Sequence, residues 1–350
     1  AYMAHNHEEI LCKVKSELPQ DELICDLADL FKSYTNNLDL LFSNALQHNH
    51  SISMSSGNDK SQYYASISAM LDPGWAKQSG VNRYTANLNA NYNIFKRLSF
   101  NMIASASYRK QKAPGTLASG TDVVRGEVTR DFDINPYSYA LNTSRVLDPN
   151  EFYKRNYTDF NIMHELENNY MDFDVVDLKF QGEFKLKPIA GLEFSALGSV
   201  KYSSTAQQHT ITDYSNQAMA YRAMPTTTIR DNNPFLYTDP DNPYAVPVTV
   251  LPDGGIYERT DFSMLSYDFR ATGQYNKEFT GGHIMNIFGG MELNQVQRRQ
   301  TWFRGWGMQY AMGEVPRYAY EVFKKGAEEN TQYYSMLNAL TRSVAFFANG

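Results

Sequence analysis

Between Asn82 and Ile94 the chain changes character at every second side chain. Tyr84, Ala86, Leu88, Ala90, Tyr92 and Ile94 fall in one phase. Arg83, Thr85, Asn87, Asn89, Asn91 and Asn93 fall in the other. Successive side chains of a strand point to opposite faces, so this period of two dictates one β-strand with an apolar and a wet side. Aromatic residues stand towards the ends of the apolar side. A strand of this kind suits a barrel wall that has lipid on one side and water on the other.

The pattern recurs along the chain. Ile52 and Met54 alternate with serines. Tyr63, Ala65, Ile67, Ala69 and Leu71 follow a turn at Gly57-Asn58-Asp59-Lys60. Leu98 to Arg109, Val176 to Lys187, Leu192 to Tyr202 and Leu265 to Asn276 repeat it, then a strand runs from His283 to about Arg298 and a last one ends in Val344, Phe346 and Ala348. Nine strands are predicted. Their connections alternate between short and long. Tight turns fall at 57–60, 95–97, 188–191 and 280–283, and longer connections at 72–80, 112–172, 212–257 and 305–330. Up-and-down transmembrane barrels gather their long loops at the extracellular end, whereas a Greek-key sandwich has no need to. The fold class is therefore all-β: part of a large antiparallel up-and-down transmembrane β-barrel occupying residues 49–350. Residues 1–48 differ. Leu23, Leu27, Leu30 and Phe31 recur at helical spacing after Pro19, which predicts a helical extracellular loop or insertion.

Composition agrees with a barrel and excludes other classes. Mean hydropathy is -0.50, and no apolar run approaches the ~20 residues of a membrane helix. Alternating strands look hydrophilic on average, so a barrel is untouched by that test. Tyr (25) and Phe (20) are abundant, as strands with amphipathic ends require. A net charge of -6 without a basic cluster argues against a nucleic-acid partner. Cys12 and Cys25 are able to pair only in an oxidising compartment, and their separation in space is left open by the sequence. The chain opens without a targeting segment and stops on a strand, so a piece of a longer protein is expected.

Three stretches carry a resemblance. Ser55-Ser56-Gly57-Asn58-Asp59-Lys60-Ser61-Gln62-Tyr63-Tyr64-Ala65-Ser66 resembles a hairpin of SusC/RagA-type TonB-linked (TonB-dependent) outer-membrane transporters. Gly80 to Asn89 is similar to the strand that follows in that family, and Arg342-Ser343-Val344-Ala345-Phe346-Phe347-Ala348-Asn349-Gly350 resembles its AFFANG strand. Ile67-Ser68-Ala69 and Trp75-Ala76-Lys77 depart from the family pattern. The resemblance implies a 22-stranded barrel in the outer membrane of a Gram-negative bacterium, filled by a plug domain and driven by the TonB complex. It also implies a SusD-like surface lipoprotein as partner, and oligosaccharides (glycan import) or peptides as substrates. Plug, TonB box and the remaining strands fall outside the nine predicted here.

Candidate chemistry is sparse. The motifs of serine hydrolases, phosphate-binding loops and zinc proteases are missing, so no enzyme activity and no cofactor are expected. His5 and His7, and His48 and His50, are spaced to share a strand face, but solvated histidines without a third ligand are the plainer reading. Asp239-Pro240-Asp241-Asn242-Pro243 reads as turn chemistry before a Ca²⁺ loop. Trp302, Phe303 and Trp306 cluster beside Arg304. Trp302 and Trp306 are candidates for stacking on a substrate ring; an interfacial aromatic girdle is the favoured reading for Trp302, while Trp306 is left between the two. Tyr214, Tyr221, Tyr237 and Tyr244 are expected to line a substrate path or a partner interface, or else to pack the loop, with Tyr221, Tyr237 and Tyr244 as the ligand-binding candidates. Asn87, Asn89, Asn91, Lys179, Glu183, Lys185, Asp268 and Arg270 are expected to face the lumen. The function expected is a wall segment of an active importer. A passive porin and an extracellular β-rich binding module are the alternatives, and the fragment alone is expected not to form a soluble domain, because its apolar face needs lipid.

Overall fold

Nine long strands form one antiparallel sheet in the computed structural model. It describes residues 41–115, 120–122, 127–129, 132, 134–143, 150–242, 244–329 and 333–350. The first four strands are β1 (His48–Gly57), β2 (Ser61–Asp72), β3 (Gly80–Phe95) and β4 (Leu98–Pro114). Two small hairpins follow, β5 (Gly120–Asp122) with β6 (Glu127–Thr129) and β7 (Tyr153–Arg155) with β8 (Thr158–Phe160). The wall resumes with β9 (Asn169–Ile189), β10 (Leu192–Ile211), β11 (Gly255–Phe279) and β12 (His283–Gln309), and closes with β14 (Tyr334–Asn349) on β12. A two-residue strand, β13 (Val315–Pro316), pairs with the end of β12. Each long strand pairs with the next in sequence, so all long connections lie at one end of the sheet, as the spacing predicts.

Register places every expected face. Leu88 pairs with Ala104, Ala104 with Phe180, Phe180 with Val200, Val200 with Tyr267, Tyr267 with Gln295 and Gln295 with Arg342. The apolar side chains of this face, among them Phe180, Phe184, Val200, Phe269, Ile287, Val344 and Phe346, are exposed and uncovered. They form a band, bounded by Tyr84 and Tyr92 in β3, by Tyr108 and Phe100 in β4, and by Leu265 and Tyr275 in β11. Such a band matches the ~9–11 residues with which a tilted strand crosses a bilayer. The row of pairs through Leu88 starts at mid-band and ends at the polar pair Gln295 and Arg342, where Arg342 Nε donates to Gln295 Oε1 at 2.9 Å. The band therefore steps along the strands from β3 to β14, the stagger that tilted barrel strands require.

Several strands run further towards the long-loop end than alternation predicts. β9 begins at Asn169, β11 at Gly255, and β12 continues to Gln309. Beyond the band the face that carries Tyr202 and Leu265 turns polar: Ser204 and Gln208 in β10, and Ser263, Asp261 and Arg259 in β11, continue it. The period-two signal fades there although the hydrogen-bonded ladder continues. At the other end, Gly281 (φ 113°) and Gly282 (φ 81°) close the β11–β12 turn in a backbone region that side-chain-bearing residues rarely adopt.

The long connections build a separate core. They contain α1 (Pro136–Asn142), α2 (Ile162–Asn168), α3 (Asn216–Ala220), α4 (Thr227–Asn232) and α5 (Tyr320–Glu328). Asn135, Asn161, Ser215 and Thr226 cap the first four by accepting backbone N–H groups at their starts. Leu41, Ile134, Tyr139, Phe160, Ile162 and Leu166 form one buried cluster. Phe42 stacks on Trp75 with ring centroids 4.8 Å apart, so the segment leading into β1 packs among the loops. The expected helix around Leu23 to Phe31, Cys12, Cys25, His5 and His7 lie outside the described residues.

Candidate functional site

Above the band, the polar face of β9–β12 and the loops folded onto it enclose a cavity of about 450 Å³. Met171, Gln207, His209, Glu258, Arg304 and Trp306 line it from the strands, and Phe132, Gln217, Tyr221 and Phe235 from the connections. The pairing of Glu258 with Arg304, and of Ile256 with Trp306, puts these side chains on the same face as Asp268 and Arg270. Trp302, paired with Thr260, shares that face.

Glu258 organises the wall. Its Oε2 accepts from Arg304 Nε at 3.0 Å and Nη2 at 2.8 Å, and its Oε1 accepts from Trp302 Nε1 at 2.7 Å. The Arg304 guanidinium also lies over the Trp302 ring, 5.4 Å from its centroid. Burial pushes the Glu258 carboxyl up, but the Trp302 hydrogen bond and the Arg304 charge outweigh it and hold the group below the usual carboxylate range. The carboxylate is thus ionised and its acceptor sites on this side are filled. His209 lies deeper. Burial lowers its pKa to about 4, and its Nε2 stands 2.6 Å from Asn169 Oδ1. Asn169 Nδ2 in turn donates to Gln217 Oε1 at 3.1 Å, so a neutral histidine ties the strand ends to α3.

The lid over this wall is held by buried polar contacts. The Asn216 backbone N–H donates to Glu165 Oε1 at 2.7 Å, and its side-chain amide donates to Arg155 O at 2.8 Å and Thr158 Oγ1 at 2.7 Å. Tyr221 meets Trp306 edge-on at 5.2 Å and Phe235 at 5.3 Å. The Arg222 guanidinium donates to Leu251 O at 2.9 Å, to Asp213 O at 3.1 Å and to Gly254 O. The outcome is a pocket with aromatic walls, an ion pair and amide groups. Such groups can hold a polar ligand by ring stacking and hydrogen bonding.

The residues singled out from sequence divide accordingly. Trp302 is no girdle residue: it sits on the polar face with its indole N–H on Glu258, above the band, and Phe303 takes the opposite face. Trp306 and Tyr221 come together in the cavity wall. Tyr237 is buried in the loop core with Val250 and Val322, its hydroxyl donating to Glu328 Oε1 at 2.9 Å. Tyr244 and Tyr214 are exposed and lie outside the cavity lining. Asn87, Asn89, Asn91, Lys179, Glu183, Lys185, Asp268 and Arg270 all share the polar face. His48 and His50 stack at 6.1 Å on the opposite face, with no third ligand among the described residues. Asp239, Asp241 and Glu328 approach one another, but the Lys324 ammonium sits 2.5 Å from Asp239 as the resident cation. Asp239 Oδ1 accepts from the Asp241 backbone, as turn chemistry predicts. Glu258, His209, Asn169, Gln217 and Phe235 were not legible as site residues.

A staggered, tilted, up-and-down sheet with an uncovered apolar band and a loop-capped polar face is a section of a large β-barrel. Solved structures share this architecture: the RagAB peptide transporter, at 15% identity and a TM-score of 0.57, and the RagAB peptide importer in its open-open state, at 16% and 0.61. Each match covers 89% of this chain and 30% of that chain, so the chain spans about a third of the length of its solved relatives. It has the fold of the corresponding barrel section of those structures. No protein-family model and no curated protein matches the sequence.

Proposed function

We propose that this chain is a wall section of a TonB-dependent active importer in the outer membrane of a Gram-negative bacterium. On this reading the apolar band meets lipid and the polar face lines the lumen. The substrate is an oligosaccharide or peptide, and a SusD-like lipoprotein closes over the long-loop end. The segment before β1 then belongs to an extracellular loop, a placement supported by the packing of Leu41 and Phe42 among the connections. The observation that carries the reading is the structural match to RagAB over 89% of the chain. The capped cavity on the polar face, at the end where all long loops meet, supports it. Trp306 and Tyr221 supply stacking surfaces there, and Arg304 and Gln217 supply donors.

Uptake of labelled oligosaccharides and oligopeptides by cells that make the full-length protein tests the reading. Uptake that collapses when the proton-motive force is dissipated is the expected result. Uptake that survives dissipation identifies a passive pore with the same wall. Recovery of the full-length protein in the aqueous phase, away from membranes, contradicts both.

A further inference from the structure

The polar face carries its charges unevenly. Towards the short-turn end the cations have acids beside them: Lys185 lies 3.4 Å from Glu183 and Arg270 lies 2.8 Å from Glu292, while the Asp268 carboxylate accepts from the neutral Ser199 hydroxyl at 3.0 Å. Three consecutive rows between these pairs and the cavity are different. Arg83 stands directly opposite Arg109, and Lys179 directly opposite Lys201. Arg298 occupies the row between, level with Asp177 and Ser203. Asp177 is the sole acid of these rows, and its Oδ1 is engaged by the Ser203 hydroxyl at 2.6 Å. All five cations are exposed, and among the described residues none is ion-paired. Arg83 Nη2 reaches only Met70 Sδ, at 3.8 Å.

Like charges directly opposite in a sheet repel and weaken the pairing. Here the arrangement occurs twice, on strands whose neighbours on both sides are present, so the missing counter-charge is not an adjacent strand of the wall. The strip begins below the cavity at Arg298 and descends to Lys201 and Lys179, with Arg109 and Arg83 alongside. We propose that these cations form an anion-guiding strip, and that the importer selects oligomeric substrates bearing carboxylates, which pass from the mouth cavity down this wall. The proposal rests on the import reading above. A wall lined by one sign of charge concentrates the opposite sign at its surface.

The test uses cells making the full-length protein and two matched probes, an alternating Ala-Glu oligopeptide and its Ala-Gln counterpart. The wild type is expected to take up the acidic probe at least about tenfold faster, within the range that electrostatic steering supplies. Lys179→Gln with Lys201→Gln is expected to level the two probes by slowing the acidic one alone, and Lys179→Arg with Lys201→Arg to restore the preference. Equal uptake of both probes by the wild type, or an unchanged preference in the Gln variant, overturns the proposal. A Gln variant with a lower melting temperature and unaltered preference also overturns it, by showing that the cations meet an acidic surface of the same protein. If neither probe enters, the import reading fails. Binding of the two probes to the purified protein then decides the strip separately: acidic preference lost in the Gln variant supports it, and equal binding refutes it.

Discussion

Replacing Glu258 separates two contributions to the cavity wall. Glu258→Gln keeps an oxygen for the Trp302 indole but removes the charge that holds Arg304 through contacts of 3.0 and 2.8 Å. Charge-assisted hydrogen bonds contribute roughly 1.5–3 kcal/mol in protected settings. The Arg304 and Glu258 side chains are 37% and 23% exposed, so solvent screening reduces that to about 1–2 kcal/mol for the pair. Glu258→Ala removes the Trp302 acceptor as well and leaves a part-buried indole N–H unpaired, adding about 1–2 kcal/mol. Local opening of β12 around residues 302–306 then becomes about tenfold easier in the Gln variant and about a hundredfold easier in the Ala variant. Amide hydrogen exchange of the full-length protein in detergent reads this directly, with the mid-band amides of β12 as an internal standard. Exchange at 302–306 indistinguishable from wild type in both variants refutes the assignment of Glu258 as organiser. Equal acceleration in the two refutes the division between charge and indole acceptor.

Other outcomes follow from the same geometry. Leu88→Arg, at mid-band, is expected to cost about 2–4 kcal/mol in bilayer folding assays, while Asn89→Arg on the polar face costs far less. Asn216→Ala removes donors to Arg155 O and Thr158 Oγ1 and is expected to raise protease cleavage in the connections without cleaving the wall. His209 has its pKa depressed to about 4 against an ordinary 6.5, so the opened state binds more protons between those values. Closure of the lid over β10 therefore weakens as pH falls through that window, by up to about 3 kcal/mol. Exchange measured at pH 7 and pH 5 shows it, and His209→Gln abolishes the difference.

The wall was legible because lipid and water impose opposite demands on alternate residues. Tyr84 to Tyr92 had no other way to satisfy both, and the phase of Asn87, Asn89 and Asn91 followed. The misplacement of Trp302 came from losing that phase. Met291 and Leu293 belong to the band at odd positions, so Trp302, Arg304 and Trp306 fall on the polar side by counting alone. The strand ends were obscured for a different reason: past Tyr202 and Leu265 the band face turns polar, so the contrast between alternate residues fades. The lid was not legible at all. Asn216, Glu165 and Asn169 are polar residues in short helices or at a strand start and look like surface, yet they are buried because each found partners distant in sequence. No local pattern encodes such pairings. Tyr237 illustrates the converse, a loop aromatic whose ring is spent on packing against Val250 and Val322.

Everything above requires the two faces of this sheet to meet different solvents. Spin labels placed singly at residues 85 to 91 of the full-length protein in lipid bilayers test it, read by collisions with oxygen and with a polar nickel chelate. Labels at Ala86, Leu88 and Ala90 are predicted to favour oxygen, and labels at Asn87, Asn89 and Asn91 the chelate, alternating residue by residue. Accessibility that varies smoothly along β3, or favours the chelate at every position, contradicts the claim and with it the placement of the mouth cavity inside a membrane barrel.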